Sequence, residues 1–303
     1  MVNKMNITEL QKLPLHRKIG IAQARIAEWY NHWQGQVYIA FSGGKDSTVL
    51  LDLVRKLYPN VPAVFSNTGL EFPEIVKFVK TFDNVKIVRP KIPFNKVIEK
   101  YGYPVVSKEQ SAYIYEYRNT NSPKLKELRL NGNSKGSFKI SDKWKYLINA
   151  PFKISDKCCD TLKKEPSERY EKETNRKPFI ATLIEESKLR MSNYIKYGCN
   201  AFNNKRPTSK PLSLWTEQDI FEYIDTFKLP IAKIYGDLLK DSNNKYYLTG
   251  EKRTGCMFCM YGCHLEKEPN KFQKLAKSHP KIYDYCINKL NIGEVLNFIN
   301  VGY

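Results

Sequence analysis

Acidic residues are scarce in this chain. Its 303 residues hold 31 Asp+Glu against 50 Lys+Arg, a formal net charge of +19. Such an excess points to an anionic partner (a nucleotide, a nucleic acid such as tRNA or DNA, or both), although lysines dispersed on solvated helix faces give the same sum. Long hydrophobic runs are also lacking. Nothing approaches the ~18–20 apolar residues that cross a bilayer, so no membrane partner is expected. The opening MVNKMNITELQKLPLHRK has neither the apolar stretch nor the small-residue cleavage site of a secretory leader, and the expected location is cytoplasmic. What the chain does have is 42% hydrophobic residues, enough for a buried core, which excludes an intrinsically disordered protein.

Strand-like and helix-like segments alternate. Leu15, Ile19, Ala22, Ile26 and Trp29 recur at helical spacing. VYIAF (Val37–Phe41), PAVFS (Pro62–Ser66), VKIVRP (Val85–Pro90) and PFIATL (Pro178–Leu183) read as strands, with helices predicted over 47–58, 73–81 and from Phe94. This order predicts an α/β fold: right-handed crossovers building a Rossmann-like parallel sheet flanked by helices, with a helical, cysteine-rich C-terminal part. Boundaries are expected at 1–34 (an N-terminal helical segment), 35–230 (the nucleotide-binding α/β domain) and 231–303 (the cysteine-rich subdomain). Between Val105 and Lys157 the strand signal disappears, and FKISDK occurs twice, at 138–143 and 152–157, too short a duplication to be a repeat architecture.

Ser42-Gly43-Gly44-Lys45-Asp46-Ser47 falls where the first strand ends and a helix begins. That position offers unpaired backbone N–H groups and the positive end of the helix dipole to phosphate oxygens. The paired glycines let the backbone approach an anion, and Lys45 adds a point charge. Asp46 suits a nearby Mg2+ ion or water, and Ser47 suits a helix cap. The pattern is not GxxxxGK[ST], which excludes an ordinary P-loop.

SGGKDS after a first strand resembles the loop of the N-type ATP pyrophosphatases (adenine nucleotide alpha hydrolase-like), and specifically of the phosphoadenosine phosphosulfate (PAPS) reductase family. Further segments resemble that family in order: Asn67-Thr68-Gly69-Leu70-Glu71-Phe72-Pro73, Cys158-Cys159 with LKKEP, Glu185-Glu186-Ser187 with Arg190, PLSLWTEQDIFEYI (Pro211–Ile224), and Thr254-Gly255-Cys256 with Cys259. The resemblance runs from about residue 35 to 265. It implies an adenine nucleotide, ATP or PAPS/APS, across the carboxyl ends of the strands. Ser42, Gly43, Gly44, Lys45, Asp46 and Ser47 would cradle its phosphate or sulfate end. Ala40, Phe41, Ser66, Asn67, Thr68 and Gly69 would lie near adenine and ribose. Lys45, Asp46 and Arg190 are the candidate catalytic residues; a surface ion pair with Glu186 is the alternative for Arg190.

Seven cysteines in a reducing compartment suggest metal or redox chemistry rather than disulfides. Cys158-Cys159 and Cys256-x2-Cys259-x3-Cys263 stand roughly a hundred residues apart, compatible with one joint zinc or iron–sulfur site. The resemblance implies a [4Fe-4S] cluster, with five candidates for its ligands: Cys158, Cys159, Cys256, Cys259 and Cys263. Cys199 and Cys286 stand alone and read as small buried residues.

The resemblance implies sulfate reduction, which requires a mobile cysteine near the C-terminus. None follows Cys286, whose helical surroundings suggest packing instead. A partner thiol or electron-donor protein is one resolution. Relatives of this fold also run ATP-dependent adenylation followed by sulfur transfer. The charge and the 20 Tyr, 15 Phe and 4 Trp tilt that route towards a nucleic-acid acceptor, with Arg118, Lys124, Lys126 and Arg129 as a candidate backbone track. A non-catalytic nucleotide- and cluster-binding regulator is the remaining reading.

Overall fold

The computed structural model describes residues 4–303, with side chains from Ile7 onward. The start of the expected N-terminal segment, residues 1–3, lies outside the described residues. Two compact units emerge, and they interleave along the chain. The first takes Met1–Asn67, Glu71–Val88 and Ser167–Thr254; the second takes Thr68–Leu70, Arg89–Pro166 and Gly255–Tyr303. This differs from the consecutive segments expected, because local composition marks where the chain changes character and long-range packing decides which segments share a core.

In the first unit, β1 (Val37–Ala40), β2 (Ala63–Ser66), β3 (Val85–Val88), β4 (Lys177–Ile180), β5 (Asn200–Ala201) and β6 (Thr208–Ser209) form one sheet in the order β3-β2-β1-β4-β6-β5. All neighbours are parallel except the β5–β6 pair. Val37, Tyr38 and Ile39 are buried in succession, as a strand covered on both faces requires. β3 at the edge exposes Lys86 and Ile87.

Helices α1 (Leu15–His32), α2 (Lys45–Leu57), α3 (Pro73–Val79), α4 (Lys188–Tyr197) and α5 (Glu217–Thr226) belong to this unit. α2 follows β1 directly and sinks Val49, Leu50, Leu53 and Val54 into the core with Phe41, Phe65, Phe179 and Trp215. From β1 the chain builds outward through β2 and β3, then returns to β1's other side with β4. That reversal is where an open α/β sheet leaves a crevice at its carboxyl ends.

The short strands correct two expectations. The stretch from Val105 to Lys157 is not free of strand: Val105–Val106 pairs in parallel with Met260–Tyr261. The chain after Pro211 is not simply helical, for Leu238–Lys240 and Tyr246–Leu248 form an antiparallel hairpin in the first unit. These strands of two or three residues are too short to show a period. The two FKISDK copies do different work: Ile140 and Ile154 are both buried, but Ile154 forms a parallel bridge with Tyr103 whereas Ile140 N donates to Arg129 O at 2.7 Å.

Candidate functional site

The Ser42–Ser47 loop is a tight turn off the end of β1. Gly43 sits at φ +72°, and a Cβ there would stand 2.7 Å from Val79 Cγ2 and 2.9 Å from Ile75 Cγ2. No side chain larger than hydrogen fits that turn against α3. Gly44 caps α2 through its backbone alone. Ser47 is therefore not the side-chain cap expected. Its Oγ donates to Gly44 O at 2.9 Å and accepts from Ser42 N at 3.2 Å.

Hydroxyl groups also occupy two more of the loop's amides. Gly44 N donates to Ser42 Oγ at 3.3 Å, and Lys45 N donates to Tyr235 OH at 3.2 Å. Tyr235 OH stands 2.7 Å from Thr254 Oγ1. An incoming oxyanion can replace such neutral acceptors at the head of a helix, where the dipole favours negative charge.

Lys45 is only 7% exposed. Its Nζ lies 3.2 Å from Glu217 Oε1 and 3.6 Å from Asp46 Oδ2, with the Phe221 ring 5.7 Å away. Burial pushes the Asp46 carboxyl above its usual range; Lys45 pulls it down and Glu217 pushes it further up. Asp46 Oδ1 is buried with no hydrogen-bond partner. A lysine held between two carboxylates, one with an orphaned oxygen, is a charge arrangement that a cation or a water would complete.

The remaining nucleotide candidates fall as follows. Ala40 ends β1, and Phe41 buries its ring against Phe82, leaving only its backbone available. Ser66 Oγ lies 3.1 Å from Ser167 Oγ, and Asn67 N donates to Val88 O. Thr68 and Gly69 belong to the second unit, where Thr68 Oγ1 accepts from Leu70 N. Arg190 pairs with Glu186, the alternative the sequence held open, and also feels the Asp46 charge.

In the second unit, Cys158, Cys159, Cys256 and Cys259 line one small cavity of about 20 Å³ with Leu70, Phe94, Pro104, Leu162, Lys163 and Phe258. Cys158-Cys159 closes the turn Lys157–Cys159, which runs into a π-helical turn at Asp160–Lys164. Cys158 donates to Cys159 Sγ at 4.0 Å. This contact, then Lys163 and Lys108, holds the Cys159 thiol down at about 6 against its burial, while the same contact and burial push Cys158 up. Cys263 is buried in the turn Cys263–Leu265 and does not line the cavity. Among the described residues, no group of three or more His, Cys, Asp or Glu is drawn together at metal-binding distance. The donor set nonetheless suits a thiophilic centre, since four thiols share apolar walls and the Cys158 contact, together with the nearby lysines, favours the Cys159 thiolate. Cys199 and Cys286 are buried, with thiols pushed up to about 11 and about 12.

Residues 36–129 match the phosphoadenosine phosphosulfate reductase domain. Over that stretch, about a third of the chain, the sequence is similar to the PAPS reductase family. The stretch that matches carries the Ser42–Ser47 loop and Asn67–Pro73; the cysteines lie beyond it. An uncharacterized protein of Methanocaldococcus jannaschii is 26% identical over 89% of this chain and 46% of its own length. The adenosine 5'-phosphosulfate reductase of Geobacillus kaustophilus is 28% identical over 33% of this chain and 40% of its own length. The chain spans about half the length, or less, of the curated relatives it matches. Two solved structures share low similarity. The phosphate complex of PAPS reductase from Candida auris has 15% identity, TM-score 0.41, and covers 81% of this chain and 98% of that one. The U34-tRNA thiolase NcsA from Methanococcus maripaludis with its [4Fe-4S] cluster has 16% identity, TM-score 0.38, and covers 91% and 79%. At those scores neither likeness bears on this chain's chemistry.

Tyr235 and Glu217 are site residues that sequence reasoning missed. PIAKIYGD carries no motif, and Glu217 was hidden inside a helix cap; Tyr235 and Glu217 reach the Ser42–Ser47 loop only through tertiary packing.

Proposed function

We propose that this chain is a PAPS-reductase-family iron–sulfur enzyme that binds the phosphate or sulfate end of an adenine nucleotide at Ser42–Ser47 and acts in sulfur transfer or sulfate reduction. The observation that carries the reading is the convergence of Cys158, Cys159, Cys256 and Cys259, from two distant segments, on one apolar cavity. Those four cysteines would hold the [4Fe-4S] cluster, which when bound supplies electrons or an iron for sulfur. Lys45 places positive charge at the loop amides, and the Tyr235 hydroxyl yields Lys45 N–H to the ligand oxygen. Asp46 offers its orphaned oxygen to a Mg2+ ion or a water.

The neutral thiols of Cys199 and Cys286 are unsuited to attack on a sulfate sulfur, so the reductase route would take its thiol from a partner. The net charge of +19 favours a second route, in which ATP adenylates a nucleic acid that then receives sulfur. Calorimetric titration of anaerobically purified protein with ATP and with PAPS separates the two. Tight PAPS and weak ATP binding supports the reductase, and the reverse supports the adenylating enzyme. If neither binds, or if the protein binds no iron, the proposal fails.

A further inference from the structure

Tyr261 carries a hydroxyl that the fold leaves unused. The residue lies in the second unit, in the strand Met260–Tyr261 that leaves the turn bearing Cys256 and Cys259. Its side chain is half-buried, but the hydroxyl oxygen itself is buried and has no hydrogen-bond partner. Ser111 is its hydroxyl neighbour, yet that group is committed to the facing strand. Ser111 Oγ donates to Val105 O at 2.6 Å and accepts from Val105 N at 3.0 Å. The other groups that act on the phenol are thiols. Burial first, then Cys158 and Cys159, with Cys259 behind them, oppose the loss of its proton, against a pull from Ser111. The strand is fixed on both sides. Met260 and Tyr261 pair with Val105 and Val106, and Lys271 Nζ donates to Tyr261 O at 3.4 Å. Val106 holds φ +64°, which a β-branched residue rarely adopts, so packing around Tyr261 overrides a local backbone preference.

A buried hydroxyl without a partner costs free energy, and its presence beside a cluster of thiols calls for an acceptor. A phenol is a donor at neutral pH. Neutral thiols accept only weakly, but a cysteine that holds a metal is deprotonated, and its sulfur then carries negative charge. We propose that Tyr261 is a positioning residue of the cysteine site, its hydroxyl donating a hydrogen bond to a thiolate sulfur of the Cys158–Cys159 pair when the site is loaded. Such a bond orients the ligand and withdraws charge from sulfur. With an iron–sulfur cluster bound, it favours the more negative, reduced state and raises the reduction potential. The inference rests on the four-cysteine site proposed above and adds a residue outside the cavity wall to it.

The test compares the parent with Tyr261→Phe, which removes the hydroxyl and keeps the ring. Metal-free Tyr261→Phe should unfold at the same temperature as the parent or higher, because it loses a buried group that had no partner. In anaerobically purified protein of equal iron and sulfide content, its reduction potential should be more negative, with the reduction equilibrium constant lower by about threefold to tenfold. Titration of both metal-free chains with Co2+ reads the same bond without iron. The sulfur-to-cobalt charge-transfer band should move to longer wavelength in Tyr261→Phe, since the sulfur loses the donor that stabilised its lone pairs. An unchanged or less negative potential, an unchanged cobalt band, or a less stable metal-free Tyr261→Phe overturns the proposal. A parent that takes up no iron–sulfur cluster, but binds Co2+ with the band shift present, overturns the cluster reading and upholds the role of Tyr261. A parent that binds neither overturns both.

Discussion

Gly43 and Asp46 show how much of the loop's character comes from single side chains. Gly43 combines a left-handed backbone with α3 side chains under 3 Å from where a Cβ would stand. Gly43→Ala is expected to cost about 1–3 kcal/mol of stability and to weaken anion binding, read by thermal unfolding and by nucleotide titration. Asp46 works in the opposite direction. Its folded-state carboxyl titrates above the unfolded one, so its ionisation destabilises the fold. The penalty is absent below the unfolded pKa, grows as pH rises through the window between the two values, and is constant above it. Asp46→Asn should therefore stabilise the unliganded protein at neutral pH by on the order of 1 kcal/mol or less, read as a higher melting temperature, and lose that advantage in acid. If Asp46→Asn is no more stable at neutral pH than the parent, the carboxylate is not strained. Both glycines and the Lys-Asp pair were legible in the sequence, because a strand-to-helix turn has few chemical solutions. The hydroxyls of Tyr235 and Thr254 were not, since their approach to the loop depends on packing.

Elements with a clear period were read correctly, and those without one were not. The four strands β1 to β4 are continuous apolar runs next to helical periodicity, and each lies within a few residues of its expected span. The two-residue strands Val105–Val106 and Met260–Tyr261 have no period to detect, yet their pairing joins the chain just before Cys263 to a segment about 150 residues earlier. This pairing fixes the loop that carries Cys256 and Cys259, with Met257 N donating to Leu70 O and Gly262 N to Val106 O. Spacing in the sequence offered five cysteines as ligands; the cavity takes four of them and leaves Cys263 out. Cys256→Ser should accordingly abolish bound iron and sulfide in anaerobically purified protein while leaving nucleotide affinity within about twofold. Cys263→Ser should keep the metal and lose only stability, about 1–3 kcal/mol for a buried polar replacement. Full iron content in Cys256→Ser, or complete loss in Cys263→Ser, would reverse the ligand assignment.

Over the whole molecule, the charge of +19 is less available than its size suggests. Arg118 and Arg129 looked like parts of a backbone-tracking cluster, but both are committed to the second unit's own structure. Arg118 donates to the carbonyls of Leu147, Ile148, Ala150 and Phe152, knitting that turn to its helix. Arg129 holds Glu116 and the carbonyl of Phe138. Composition counts a charge without saying what it holds, which is why this part of the sequence reading fails. The exposed Lys124 of the same stretch has no such duty. Arg118→Ala should thus lower stability by about 2–3 kcal/mol, since several carbonyls lose a cationic donor, without changing the affinity of the folded protein for a single-stranded oligonucleotide. That affinity, if the lysine surplus serves a nucleic acid, should fall at least tenfold between ~50 and ~200 mM salt. Fluorescence anisotropy across that salt range decides the matter. A salt-independent affinity, or one that drops with Arg118→Ala while the fold is intact, would mean that the committed arginines, and not the exposed lysines, face the polymer.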